Sequence, residues 1–281
     1  MAFHALMLPN DAPDGPVMVH SDVSRTHALV KGIRGRENLL EEHVNVVNTI
    51  SDNRDIWFAA FNYDFLSGKT YSARSSIVQV GALNEHFRTR HSEWRTLSPA
   101  FNFAGIGIRP EFRLAGSDFS DPFGPHSDFG QLVEGDGTVL WYGADYGSAT
   151  IHHLAETLSG GPAYRYTKSF RGLAENDPSL DAQEMHIRYH VRPLGGVILY
   201  DMARLEQDAV QAGIIRRIEA GQNVFWAPAR ALVESWTENL RKDPFYMLTE
   251  KSRVWAEQHL QRLGRPFFLS DFEPTIEQES A

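Results

Sequence analysis

Residues 138–156 read TVLWYGADYGSATIHHLAE, and their reading decides the fold. Asp136-Gly137 supplies a turn signal ahead of them, and Thr138 to Asp145 form a short apolar run that ends in polar residues, the pattern of a buried strand. SATIHHLAE then opens a helix at once, so strand and helix meet with no room for more than a tight connection. The same alternation appears upstream. PVMVHSD reads as a buried strand ending in polar groups, Asn38 to Ile50 has helical apolar spacing (Leu39, Leu40, Val44, Val47, Ile50), and Asp55 to Phe65 reads as a further strand running into a polar loop. Strands alternating with helices predict a layered α/β fold, an α/β/α sandwich on a central mixed sheet with a smaller irregular subdomain. Polar groups at strand ends would then build the ligand cleft. Val224 to Leu240 predicts a late helix stopped by Asp243-Pro244, and the acidic tail after Gly264 is expected to fray in its last residues.

Length and charge narrow the classes. A chain of 281 residues with 42% hydrophobic content can bury a sizeable core, and no repeat or low-complexity tract divides it, so one domain over residues 1–281 is expected. The net charge of -9 opposes a phosphate backbone, which argues against nucleic acid. The absence of cysteine removes disulfides, thiolate metal sites and a thiol nucleophile. No basic leader region and no apolar run of membrane-spanning length is read, so a cytoplasmic address is expected.

Chemistry concentrates in SATIHHLAE. His153 and Glu156 stand at i, i+3, which places both on one helix face, where the carboxylate can orient the imidazole or stabilise its protonated form. Thr150 is placed to cap the helix N-terminus. The alternative is a His and a Glu on a half-buried helix face with no chemical role. His152 and His153 raise the question of a metal, but without HExxH or a second acidic ligand at fixed spacing none is expected. The nucleophile elbow, the phosphate loop and the full dinucleotide fingerprint are missing; Gly105-Ile106-Gly107 is a lone GxG.

Three further segments stand out: VHSD (19–22), RTLSPAFNFAGIG (95–107) and DPFGPHSDFGQL (121–132). Taken in order with DGTVLWYG and TIHHLAE, they resemble the aminoglycoside 3-N-acetyltransferase family, whose pattern has an HSS segment, R-S-x-H-P-x-x-S, S-P-F/W-x-x-L, D-G-x-V-L-x-x-G and T-x-x-H-x-A-E. The likeness runs from about residue 17 to 156, with a weaker echo in YDMARLEQDAVQAG. It implies an acetyl-CoA-dependent N-acetyltransferase with a layered α/β fold, acting on an amine of an aminoglycoside-like or amino-sugar acceptor, as a monomer or homodimer and without a metal. His153 corresponds to the catalytic base, with Glu156 or Asp145 stabilising the imidazolium. His20, Ser21, Asp22, Arg95, Thr96 and Ser98, with Pro99, correspond to residues near the thioester and pantetheine. The chain departs from the pattern at Asp22, Ser98 and Asn102, which leaves CoA contacts there open, and a non-catalytic CoA- or glycan-binding relative is the competing class.

A second departure concerns the acceptor. MHIRYHVR (185–192) alternates with period two, so Ile187, Tyr189 and Val191 face inward while His186, Arg188, His190 and Arg192 share the other face. Arginine forks suit phosphate or carboxylate, so Arg188, His190 and Arg192 are candidate contacts to an anionic acceptor such as a nucleotide-linked amino sugar, or to the CoA phosphates. A solvated strand face is the alternative. Trp57, Trp94, Trp141, Trp226 and Trp236 are read mainly as core, with a sugar platform the other possibility.

Overall fold

The computed structural model describes residues 6–113, 120–175, 181–195, 197–218 and 223–273. Its centre is β1 (Val17–Ser21), which pairs in parallel with β2 (Ile56–Ala59) on one side and with β6 (Thr138–Tyr142) on the other. Outward from these, β5 (Phe103–Ile106) runs antiparallel to β2 and carries β4 (Trp94–Arg95), while β10 (Val224–Pro228) runs antiparallel to β6 and carries β9 (Arg216–Arg217). The result is a seven-stranded mixed sheet in the order β4-β5-β2-β1-β6-β10-β9.

Both faces of this sheet are buried, which is why its central strands read as continuous apolar runs. Val17, Val19, Phe58, Leu140 and Tyr142 face α1 (Arg36–Ser51) and α2 (Ala82–Arg90). Met18, Trp57, Val139, Trp141 and Phe225 face the opposite layer, built from α3 (Asp128–Glu134), α4 (His152–Leu158), α5 (Met202–Gln211) and α6 (Ala229–Lys242). The layered α/β/α arrangement expected from strand-helix alternation is present. The tryptophans of β2, β6 and β10 are core: Trp57, Trp141 and Trp226 are all buried, as is Trp236 of α6.

The smaller unit is more regular than anticipated. A second sheet, β3-β7-β8, joins β3 (Tyr71–Ser72) to the long hairpin of β7 (Tyr166–Glu175) and β8 (Gln183–Val191), and α7 (Glu250–Leu263) packs nearby through Ala256. Ile187 is buried and Arg188 and Arg192 are exposed, as the period-two reading of 185–192 expects, but His186 and His190 are half-buried like Tyr189 and Val191, so the outward face is only partly solvated.

The strand in 55–65 runs from Ile56 to Ala59 and gives way to a loop, as expected, where Asn62 accepts from the Asp64 amide and starts a 3-10 turn at Tyr63–Ser67. One expectation of secondary structure is corrected. The helical spacing from Val224 misplaces the helix start: Val224, Phe225 and Trp226 pair with β6, and the helix begins only after Pro228. A strand buried on both faces has no alternation to set it apart from a helix. The acidic tail from 274 lies outside the described residues. Among the described residues no helix is long and apolar enough to cross a membrane.

Candidate active site

β1 is where the chain's connections diverge. β2 follows through α1 on one side, and β6 returns later on the other, so the carboxyl ends of β1, β2 and β6 splay open at a topological switch point. There the structure holds a cavity of about 200 Å³, lined by His20 and Ser21 at the end of β1, Ala59 at the end of β2 and Phe61 beyond it, and Ala144, Ser148 and Thr150 after β6. α2 closes it. The Ser21 hydroxyl donates to Oδ1 of Asn84 (2.5 Å), whose Nδ2 donates to the Ala59 carbonyl (2.6 Å), so one amide ties two strand ends together. His20 is 4% exposed, its Nε2 has no hydrogen-bond partner, and burial pushes its pKa down to about 4.

One turn beyond Thr150 lies the ionisable centre of the site. The His153 Nδ1–H donates to Oε2 of Glu156 (2.7 Å), which leaves Nε2 with its lone pair. Glu156 is 2% exposed, a position an ionised carboxylate holds only with compensation. Its Oε1 accepts from the hydroxyls of Tyr164 (2.7 Å) and Tyr200 (2.6 Å), and Arg165 Nε stands 3.6 Å away. Arg165 is itself buried, donating to the Tyr200 hydroxyl (2.5 Å) and to the His190 carbonyl (3.1 Å). Burial would raise the Glu156 pKa, yet the Arg165 charge and the His153 hydrogen bond hold it well below the usual carboxylate range. His153 moves down, from burial first and then from the Arg165 charge, against the opposing pull of Glu156. The ring is therefore neutral at pH 7.

Around His153 stand aromatic rings. Phe123 lies 4.8 Å from it between centroids, Tyr200 6.0 Å, and Phe101 and Tyr189 extend the wall behind Phe123 at 4.7 and 5.6 Å. His152 turns inward, its Nδ1–H donating to the Ala149 carbonyl (2.7 Å). His152, His153 and Glu156 bring ligand atoms within 4.8 Å of one another, but the carboxylate already accepts from two tyrosines and an imidazole.

The other sequence candidates separate. Asp145 does not pair with the imidazole: it receives a bidentate contact from Arg25, one arm at 2.8 Å. Thr150 does not cap α4, because its hydroxyl donates back to the Ser148 carbonyl (3.2 Å) and Ile151 holds the cap position without a side-chain bond. Asp22 caps the turn Val23–Arg25 by accepting from the Ser24 amide (3.1 Å), which accounts for an acid where the family pattern has serine. Arg95 is buried against the Tyr71 ring, with Nε on Oδ1 of Asn102 (2.7 Å), one arm on the Ala60 carbonyl (2.6 Å) and the other on that of Ser76. Thr96 accepts from the Phe103 amide (2.9 Å), and Ser98 is buried. Arg95 and Thr96 thus brace the segment behind the site with the polar atoms that a ligand contact would use. Arg192 is exposed, and its charge contributes to the lowering at His153; Arg188 acts on Asp121, and His190 lies at Thr167 (3.3 Å).

Sequence reasoning missed Tyr164, Arg165, Tyr200 and Asn84. A signal for the first two existed. A glutamate on the buried face of a short helix requires a cation and donors, and Tyr164-Arg165 follows within ten residues of Glu156.

Comparison with known proteins gives the family and the fold. The profile of the aminoglycoside 3-N-acetyltransferase family matches residues 18–241. An aminoglycoside N(3)-acetyltransferase VII from Streptomyces paromomycinus is 31% identical over 110 residues, 39% of this chain and only 36% of that protein's length. Among solved structures, the apoenzyme of aminoglycoside acetyltransferase AAC(3)-IVa superposes with a TM-score of 0.64 at 17% identity over 90% of this chain and 92% of its own. A binary complex of AAC-IIIb with CoASH superposes at 0.64 and 21% identity over 85% and 93%. The chain belongs to the aminoglycoside 3-N-acetyltransferase family.

Proposed function

We propose that the chain is an acetyl-CoA-dependent N-acetyltransferase acting on an amine of an aminoglycoside-like or amino-sugar acceptor, with His153 as general base. One observation carries this reading: a neutral imidazole, its Nδ1 fixed by a buried ionised carboxylate, one helical turn from a cavity at the switch point of the sheet. A cavity of about 200 Å³ with mixed apolar and hydroxyl lining suits a pantetheine arm better than a whole nucleotide, and the unpartnered Nε2 of buried His20 gives it a polar contact. Acetyl-CoA would supply the activated acetyl thioester. In support, a relative of this fold was solved with CoASH and another, a histidine-to-alanine variant, with apramycin.

His153 then takes the proton of the attacking amine at Nε2 while Glu156 stabilises the imidazolium through Nδ1. Because Arg165, Tyr164 and Tyr200 already hold Glu156 in its charged form, little reorganisation accompanies the transfer. As the amine nitrogen bonds to the acetyl carbon and the thioester C–S bond breaks, Nε2 returns that proton to the departing CoA thiolate, leaving the acetylated amine and CoA thiol. No acyl-enzyme is needed, in keeping with a chain that has no cysteine and no nucleophile elbow. Asp145 has no part in this scheme, and Arg95 and Thr96 support it from behind.

The test is thiol release from acetyl-CoA with a panel of aminoglycosides, amino sugars and nucleotide-linked amino sugars. His153→Ala is expected to lower kcat by about 10²- to 10⁴-fold with the melting temperature preserved. Near-normal turnover would remove His153 from the base role, and no thiol release with any amine would favour a CoA- or glycan-binding relative.

One feature favours a second reading of the acceptor. Arg192 places positive charge within electrostatic reach of His153, where a polycation would be repelled. Arg192→Glu should raise KM for a nucleotide-linked amino sugar and leave or lower KM for an aminoglycoside. The reverse pattern excludes the anionic acceptor.

A further inference from the structure

On the other face of the sheet, α1 and α2 meet around a second set of histidines. Glu41 lies on α1, His86 on α2, and His91 is the residue that ends α2. Five residues apart on an unbroken helix, the two histidines would point about 140° from each other. Instead α2 stops at Arg90. His91 leaves helical geometry (φ -124°, ψ -31°) while its amide still bonds the Phe87 carbonyl (2.9 Å), and its ring swings back beside His86, 5.8 Å between centroids. Both Nε2 atoms then converge on a single oxygen: Oε2 of Glu41 is 3.1 Å from His86 and 2.9 Å from His91. The ligand atoms of all three residues lie within 4.8 Å of one another.

We propose that Glu41, His86 and His91 form a binding site for a divalent transition ion of the zinc class, which clips α1 to α2. Two imidazole nitrogens and one carboxylate oxygen are a donor set such ions take, with water in the fourth position. With metal-ligand bonds of about 2.0 to 2.1 Å, neighbouring ligand atoms of a tetrahedral site stand about 3.3 Å apart, so the two nitrogen-oxygen separations lie within a few tenths of an ångström of that spacing. The rings are already positioned: His86 is packed at the seam with its side chain 11% exposed, and His91 stacks near Phe87, which in turn stacks on Phe58 of β2. Glu41, 47% exposed, faces solvent and provides the entry path. On binding, each neutral ring carries its proton on Nδ1, and Nε2 becomes the ligand. The site has a structural output. α2 also carries Asn84, whose amide joins Ser21 to Ala59 at the cavity wall, so fixing α2 against α1 fixes that wall.

The test uses the full-length, tag-free chain stripped of metal and titrated with zinc chloride by calorimetry, then with cobalt to read coordination from its visible spectrum. Zinc is expected to bind, and to raise the melting temperature. His86→Gln or His91→Gln should weaken binding about 100-fold and abolish the thermal shift, with circular dichroism confirming that the variants fold. His153→Gln, which disturbs the cluster on α4, should leave this binding unchanged. The proposal is overturned if wild type takes up no zinc at about 0.1 mM free ion. It is equally overturned if the double variant at 86 and 91 binds normally while His153→Gln does not, which would place the ion at His152, His153 and Glu156.

Discussion

The molecule contains two clusters with the same chemical parts, two histidines and a glutamate, on opposite faces of one sheet, and their surroundings set them to different uses. At α4, Glu156 is buried and fully engaged by Tyr164, Tyr200, Arg165 and His153. At the α1-α2 seam, Glu41 is half in solvent, and its hydrogen bonds to His86 and His91 lower its pKa with little opposition from burial. Burial combined with a fixed cation turns a carboxylate into a permanent charge that governs one imidazole. Exposure leaves the same group free to exchange a proton or a hydrogen bond for an ion.

The comparison is broken most severely at Arg165. Arg165→Met leaves Glu156 charged, buried and uncompensated, so urea unfolding should show a loss of about 3–5 kcal/mol; a loss below about 1 kcal/mol would show that the tyrosines alone sustain the charge. Glu156→Gln comes next. It removes the partner that holds the His153 pKa up, so the acid limb of the kcat/KM profile should move to lower pH while kcat falls by about 10- to 100-fold. An acid limb that moves upward, or none, would detach Glu156 from the base. The sign for stability is separate: the folded pKa of Glu156 lies below its unfolded value, so its contribution is present above about pH 4 and lost as pH falls below that. The smallest effect belongs to Glu41→Gln, which in metal-free protein should change stability by less than about 1 kcal/mol. A loss as large as that of Arg165→Met would erase the distinction between the two clusters.

The sequence carries the fold where local and tertiary signals agree. The switch from β6 to α4 is legible because an apolar run, a glycine and a helical i, i+3 pair follow one another without interruption, and the family resemblance rests on the same residues. β10 is not legible as a strand, since Phe225, Leu232, Val233, Trp236 and Leu240 fit one helical spacing until the pairing with β6 is known. In the site, His153 and Glu156 are a local pair, and spacing alone reveals them. Tyr200 reaches Glu156 from a separate segment, 44 residues on, and nearness in sequence misassigns Asp145, which Arg25 claims from 120 residues away. The seam cluster is invisible to spacing for the same reason, because His91 faces His86 only once the helix has ended.

The Arg25-Asp145 contact joins the turn after β1 to the loop after β6, next in sequence to Ala144 of the cavity lining. Both partners are open to solvent, 45% and 68% exposed, so water competes for each, and the strap weakens further as salt shortens the Debye length to about 8 Å at physiological strength. Ionic strength, more than any change in the buried interior, therefore sets how firmly these two loops are tied.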